Sequence, residues 1–164
     1  MGRLLDTTGP WLHVLTASGS ELNDAMWALD GEAVACRLLR GAKMMSESRL
    51  LDECAAALQF PCYFGDNWAA LDECMADLSW LPARARVLCV TGAHMVLGED
   101  AEGPARFFRL LERAAAEWAK PDAFRPAAAF HVVLQTEPDM AAALRSKLQQ
   151  AGTTFDEIGL DQIA

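Results

Sequence analysis

The residues best suited to chemistry lie in one stretch, Tyr63-Phe64-Gly65-Asp66-Asn67-Trp68-Ala69-Ala70-Leu71-Asp72-Glu73-Cys74-Met75. That chemistry is recognition rather than bond breaking. Gly65 permits a tight turn out of an aromatic loop. Asp66 or Asn67 can cap a helix, whose positive end also favours a carboxylate. Trp68, Leu71, Met75 and Leu78 recur at i, i+3, i+7 and i+10, which buries one helix face. Ala69, Asp72, Glu73, Ala76 and Asp77 fall toward the other face. The alanines let a partner approach closely, and the carboxylates offer acceptors to Arg and Lys. Tyr63, the only tyrosine in the chain, is an amphipathic anchor of the kind enriched in binding hot spots. The same charge pattern also suits a merely solvated helix face.

Other constellations carry less. His13, His94 and His131 are far apart in sequence, and His13 and His131 fall in apolar strand candidates, where a histidine satisfied in the core is the default. A nucleophile built from Cys62 or Cys89 with His94 lacks any local signature. No phosphate-binding or dinucleotide glycine loop, H-E-x-x-H or G-x-S-x-G occurs. We expect no catalytic residues, no cofactor and no metal site. Arg37, Arg40 and Lys43 form a modest basic cluster that suits solvated strand ends. Five cysteines, an odd number with no C-x-x-C pair, read as free thiols, four of them in apolar segments. Trp11, Trp27, Trp80 and Trp118 fall on apolar stripes or corners and read as core.

A net charge of -9 argues against direct nucleic-acid binding and against an anionic membrane, and favours a basic partner. No apolar run approaches the roughly 20 residues that span a bilayer. The N-terminal residues show no secretory pattern, so the expected location is the cytoplasm.

The elements that must position the central stretch follow from periodicity. Apolar strand candidates are Trp11 to Leu15, Ala33 to Leu39, Val87 to Thr91 and Ala128 to Leu134. Between them, Ser20 suits the cap of a helix with Leu22, Ala25, Met26 and Leu29 inward, ending at Gly31. Ser46 or Ser48 suits the cap of a second, striped by Leu50, Leu51, Cys54, Ala55 and Leu58 and stopped before Pro61. The third helix runs from Asn67 to Leu78. After a Gly98 to Gly103 loop, Pro104 opens a fourth with Phe107, Leu110, Leu111, Ala114 and Trp118 inward. Pro121 to Pro126 breaks the chain, and Pro138 to Ala151 gives the last helix. Alternating strands and helices with doubly apolar strands predict an α/β fold with a mostly parallel sheet.

The order Phe60-Pro61-Cys62-Tyr63-Phe64-Gly65-Asp66-Asn67-Trp68-Ala69-Ala70-Leu71-Asp72-Glu73-Cys74, continuing to Asp77-Leu78-Ser79-Trp80-Leu81-Pro82, resembles the signature of the barstar family. The resemblance extends over Ala33 to Thr136. It implies a three-layer fold with a small three-stranded parallel sheet packed by helices. Residues 33–136 would then be the core of a single domain, 1–164, with 1–32 and 137–164 as extensions. Members of the family are intracellular inhibitors of ribonucleases, in which the aromatic loop and following helix enter the nuclease active site. Acidic side chains there take the places of substrate phosphates.

By that resemblance Tyr63, Asn67 and Glu73 are the main contacts, with Phe64, Asp66, Ala69, Asp72 and Asp77 on the same face. Gly65 shapes the loop, and Trp68, Leu71 and Cys74 pack beneath. Ala69 and Glu73 stand where the family usually has Asp. Ala69 removes a polar contact, Glu73 extends the carboxylate by one methylene, and Asp72 can restore some acidity. A second acidic contact is implied on the long helix, at Glu112, although Arg113 competes for that alignment. The expected partner is a basic protein, a ribonuclease or nuclease toxin, and the chain would be its antitoxin or immunity protein. Two other readings stay open. One is a small-molecule or enzymatic site at the strand ends near Thr91 and Gly92. The other is an assembly module that self-associates through its extensions.

Overall fold

The computed structural model describes residues 2–163. In chain order its main elements are β1 (Leu12–Thr16), α1 (Gly19–Leu29), β2 (Val34–Arg40), α2 (Glu47–Leu58), α3 (Trp68–Asp77), β3 (Ala85–Thr91), α4 (Gly103–Trp118), β4 (Ala129–Thr136), α5 (Ala141–Gln150) and β5 (Phe155–Glu157). The strands form one sheet in the order β2-β3-β4-β1-β5, and every pairing is parallel. The sheet therefore has five strands where the resemblance implies three. Both additional strands come from the segments read as extensions. β1 lies between β4 and β5, with Leu12 in register with Val132 on one side and Phe155 on the other. β5 left no mark in the sequence because it is three residues long, only partly covered, and contains Asp156 and Glu157.

β4 is buried at all eight positions and β3 at six of seven, as strands covered on both faces must be. On one face Leu12, Val14, Leu88, Val90, Val132 and Leu134 pack against α2, α3, α4 and α5. On the other, Leu15, Val87, Cys89 and Val133 pack against Leu22, Ala25, Met26 and Leu29 of α1. Trp27, expected in the core, is 74% exposed. It follows Met26 by one residue, and a helix turns about 100° per step, which carries it off the buried stripe.

The helix ends correct two assignments. α1 is capped by Ser18 rather than Ser20: Ser18 Oγ accepts from the Glu21 amide, and the Glu21 carboxylate accepts from the Ser18 amide. The helix closes at Asp30 in extended backbone, not through a left-handed Gly31. Four cysteines are buried, as the apolar segments imply, and Cys62 is exposed.

His13 and His131 are fully buried and join the terminal strands to the sheet. The Asp6 carbonyl can only accept, so His131 Nε2 donates to it at 2.9 Å, leaving Nδ1 to accept from His13 Nε2 at 2.9 Å. Asp156 faces the remaining His13 nitrogen at 2.5 Å and pairs with Arg3. Burial first, then His131 and Arg3, lowers the His13 pKa to about 3. With His13 Nε2 donating, the contact to Asp156 requires one proton between Nδ1 and the carboxylate.

β2 is an edge strand, and side chains occupy its outward backbone groups. Asp30 accepts from the Cys36 amide at 2.8 Å, and Arg37 donates to the Cys36 carbonyl at 2.6 Å. Glu53 of α2 accepts from the Arg40 amide at 3.0 Å and from Arg40 Nε and Nη2 at 2.8 and 2.9 Å. A further strand finds few free groups to pair with. The Arg40 hydrogen bonds hold the Glu53 carboxyl below its ordinary value, against the opposing effect of burial. A depressed carboxyl pKa contributes stability above the unfolded value, near 4.5, and loses it as pH falls through the folded value. Glu53→Gln is expected to cost about 2 kcal/mol at neutral pH and to flatten the fall in melting temperature from about pH 5 to pH 3. Parallel acid limbs for the two proteins would refute this role.

Candidate functional site

α3 is held from beneath and bare above. Trp68, Leu71, Cys74 and Met75 are buried, as is Leu78 just beyond the helix. Asn67 supplies the cap. Its Oδ1 accepts from the Ala70 amide at 2.8 Å while its Nδ2 donates to the Gly65 carbonyl at 3.0 Å. A side-chain amide offers the two functions on separate atoms. Asp66, the alternative cap, instead takes left-handed backbone with φ 47° and leaves its carboxylate on the surface.

The aromatic loop is pinned from inside. Phe60 packs on Phe64 at 4.9 Å and edge-on to Trp80 at 6.0 Å, and Trp80 Nε1 donates to the Leu58 carbonyl at 2.8 Å. Phe64 is thereby half-buried and serves the loop as much as the surface. Tyr63 stands out at 70% exposure. It borders a shallow depression of about 180 Å³ shared with Glu73 and Asp77. Partial desolvation, followed by Asp77, Cys74, Cys62 and Glu73, raises its phenol above the ordinary value, so it stays protonated and able to donate.

The opposite flank of α3 has a different sign. Arg113 of α4 donates to the Asp72 carboxylate at 2.9 Å. Arg106 lies over the Trp68 ring at 4.6 Å, and Arg109 donates to the Ala151 carbonyl at 3.3 Å. These arginines border a depression with exposed Ala69 and half-buried Asp72. The structure thus brings Tyr63, Glu73 and Asp77 together, and commits Asp72 to a partner within the chain. Glu112 is also committed: it accepts from the Thr154 amide at 2.8 Å, in the segment leading to β5. The sequence reading missed the arginine stripe as a component of the site. Its spacing, i, i+3, i+7, was visible, but nothing in it said that α4 lies beside α3.

Side chains of the described residues fill the strand ends near Thr91 and Gly92. Gln135 accepts from the Gly92 amide at 2.8 Å and donates to the Ala17 carbonyl at 2.6 Å. Gly41 passes so close that a Cβ there would lie 2.4 Å from the Gly92 carbonyl oxygen. His94 Nδ1 hydrogen-bonds Thr136 Oγ1 at 3.0 Å, and Cys89 is fully buried beside Cys36.

A family model described as Barstar (barnase inhibitor) matches residues 34–135. Among curated proteins no sequence matches the chain. Two solved structures of the Aeropyrum pernix ORC2 protein share its fold. The ADPNP-ADP complexes superpose with a TM-score of 0.61 and 12% identity, covering 90% of this chain and 41% of that one. The ADP form gives 0.61 and 11%, covering 93% and 43%. This chain spans about two fifths of the length of those proteins, and at such identity the likeness is one of fold alone.

The double role of Asn67 is measurable. Asn67→Ala should lower stability by about 1 kcal/mol in chemical denaturation. Asn67→Asp, which keeps the acceptor and loses the donor to Gly65, should fall between. Equal stability of all three proteins would show that the cap does not hold the turn.

Proposed function

The chain belongs to the barstar family, and from that premise we propose that it binds and blocks a basic enzyme, a ribonuclease or nuclease toxin, through the Tyr63 loop and the Glu73–Asp77 flank of α3. The observation that carries this reading is the placement of Tyr63. An exposed phenol on a turn locked by Asn67, next to two exposed carboxylates, needs little ordering on association. The two carboxylates can receive the Lys and Arg side chains that a nuclease uses for phosphate.

Two features separate this surface from a uniformly acidic plug. Ala69 offers no charge, and Asp72 is neutralised in part by Arg113. The partner accordingly presents cations to the Tyr63 flank and tolerates arginines on the other. In an open parallel sheet, ligands sit beyond the strand carboxyl ends where the strand order reverses, here between β1 and β4. Gln135 closes that gap with its own hydrogen bonds. The turn from β1 to α1, Thr16-Ala17-Ser18-Gly19-Ser20, also lacks a phosphate-binding glycine loop. Both points favour recognition on the helices over the ADP binding of the ORC2 structures. No helix among the described residues is long and apolar enough to cross a membrane. A cytoplasmic immunity protein, meeting its target there, is part of the proposal.

Immobilised full chain, exposed to lysate of the cells that make it, should retain an RNA-cleaving activity that salt elutes. Adding free chain back should inhibit that activity. Tyr63→Ala and Glu73→Arg should each weaken retention at least about tenfold, and added salt should slow association. Failure to retain ribonuclease activity, or retention indifferent to both substitutions, would remove the inhibitor reading.

A further inference from the structure

We propose that the loop between α4 and β4 carries a second anchor for the same partner, the Phe124 side chain, a proposal that rests on the inhibitor reading above. Phe124 is 98% exposed. Covering a phenyl group removes apolar surface from water, which is favourable, so a fold that holds one out in solvent forgoes that gain.

Hydrogen bonds hold the backbone of this loop. The Asp122 carboxylate accepts from the Phe124 and Arg125 amides at 2.7 and 2.9 Å, and the Asp122 amide donates back to the Arg125 carbonyl at 3.0 Å. Arg125 lies over the Trp118 ring at 3.9 Å and donates to the carbonyls of Trp118 and Glu117, both at 3.2 Å. Arg86 of β3 also lies over the Trp118 ring, at 4.0 Å. Trp118 Nε1 in turn donates to the Met75 carbonyl at 2.8 Å. Met75 belongs to α3, so the turn that displays Phe124 is tied to the helix flanked by Tyr63. With its backbone held in this way, the residue has only its ring left to order when it docks.

The two anchors share a surface. Asp77 borders the depression with Tyr63 and Glu73, and it also borders a groove of about 530 Å³ with Ser79, Trp118, Asp122 and Phe124. Any molecule that covers Tyr63 and Asp77 and continues along this groove meets the phenyl ring. The occupant is the same basic enzyme: it sets a cation against Asp77 and an apolar socket over Phe124. Such a socket lies outside the phosphate-binding cleft. Nucleases that share a cleft chemistry can differ there, so Phe124 would select one target among similar enzymes.

The test is in-cell photo-crosslinking of the full chain, with benzoyl-phenylalanine in place of Tyr63, Phe124 or, on the opposite face of the sheet, Trp27. One and the same polypeptide is expected from positions 63 and 124 and not from 27. Phe124→Ala should cut the adduct yield at position 63 about tenfold and leave the melting temperature unchanged. An adduct at 63 without one at 124 overturns this inference and leaves the inhibitor reading standing. An adduct at 124 alone overturns the inhibitor face and this inference with it, and adducts at neither position overturn both. A different polypeptide at 124, or a second copy of the chain, overturns the shared partner.

Discussion

The last carbonyls of a helix have no partner within it, and an inward one must find a donor or stay costly. At Met75 in α3 that donor is the indole of Trp118, at 2.8 Å. The joint binds α3 to the end of α4, and the ring that makes it is covered by two guanidinium groups, from Arg86 and Arg125. One buried hydrogen bond thereby sets the distance between the helix beside Tyr63 and the turn that carries Phe124. Without it α3 would be held to α4 by apolar packing, the half-exposed Asp72–Arg113 pair and the Arg106 stack on Trp68, contacts that resist separation more than sliding. A surface that recognises by shape needs both constraints, because displaced anchors no longer meet their pockets together.

Charge on this surface is arranged locally rather than in bulk. The chain carries -9 overall, yet α3 has an acidic side toward Tyr63 and an arginine-lined side toward α4. Asp72 and Arg113 are both about half exposed, so their pairing contributes at most about 1 kcal/mol and mainly sets geometry. Its larger effect is to remove one carboxylate from what a partner meets. With Ala69 beside it, the exposed carboxylates that α3 brings to the proposed face are Glu73 and Asp77. In the proposed complex, affinity would come less from buried ion pairs, which are costly to desolvate and intolerant of misfit, and more from apolar anchors. Tyr63 and Phe124 are the two that the fold leaves uncovered near these acids.

What the sequence disclosed was local, and what it hid was mostly contact between distant segments. The third helix was legible because its cap, period and terminating corner lie within a few residues. Choosing Asn67 over Asp66 required knowing that Gly65 needs a donor, which composition does not say. β1 was readable as an apolar run but not as the strand between β4 and β5, and β5 is too short and polar to announce itself. Glu112 was readable as an acid on the long helix, but the amide it serves is 42 residues away. Trp27 and Phe124 were hidden for a related reason. One sits a single step off a buried stripe, and the other lies in a segment legible only as a proline-bounded break.

The proposed recognition on the helices agrees with how the strand ends are filled. A parallel sheet offers its strand ends as a crevice, but here Gln135 bonds across from Gly92 to Ala17, and Gly41 closes onto the Thr91 and Gly92 carbonyls. The Gln135 hydrogen bonds tie the carboxyl ends of β1, β3 and β4 into one base. Helices packed on such a base can present side chains without internal play, because the strands beneath them cannot shift independently. A protein that must cover a flat or cleft-bearing partner gains more from a firm helical face than from an open crevice. The filled strand ends and the exposed anchors are in that sense two sides of one arrangement.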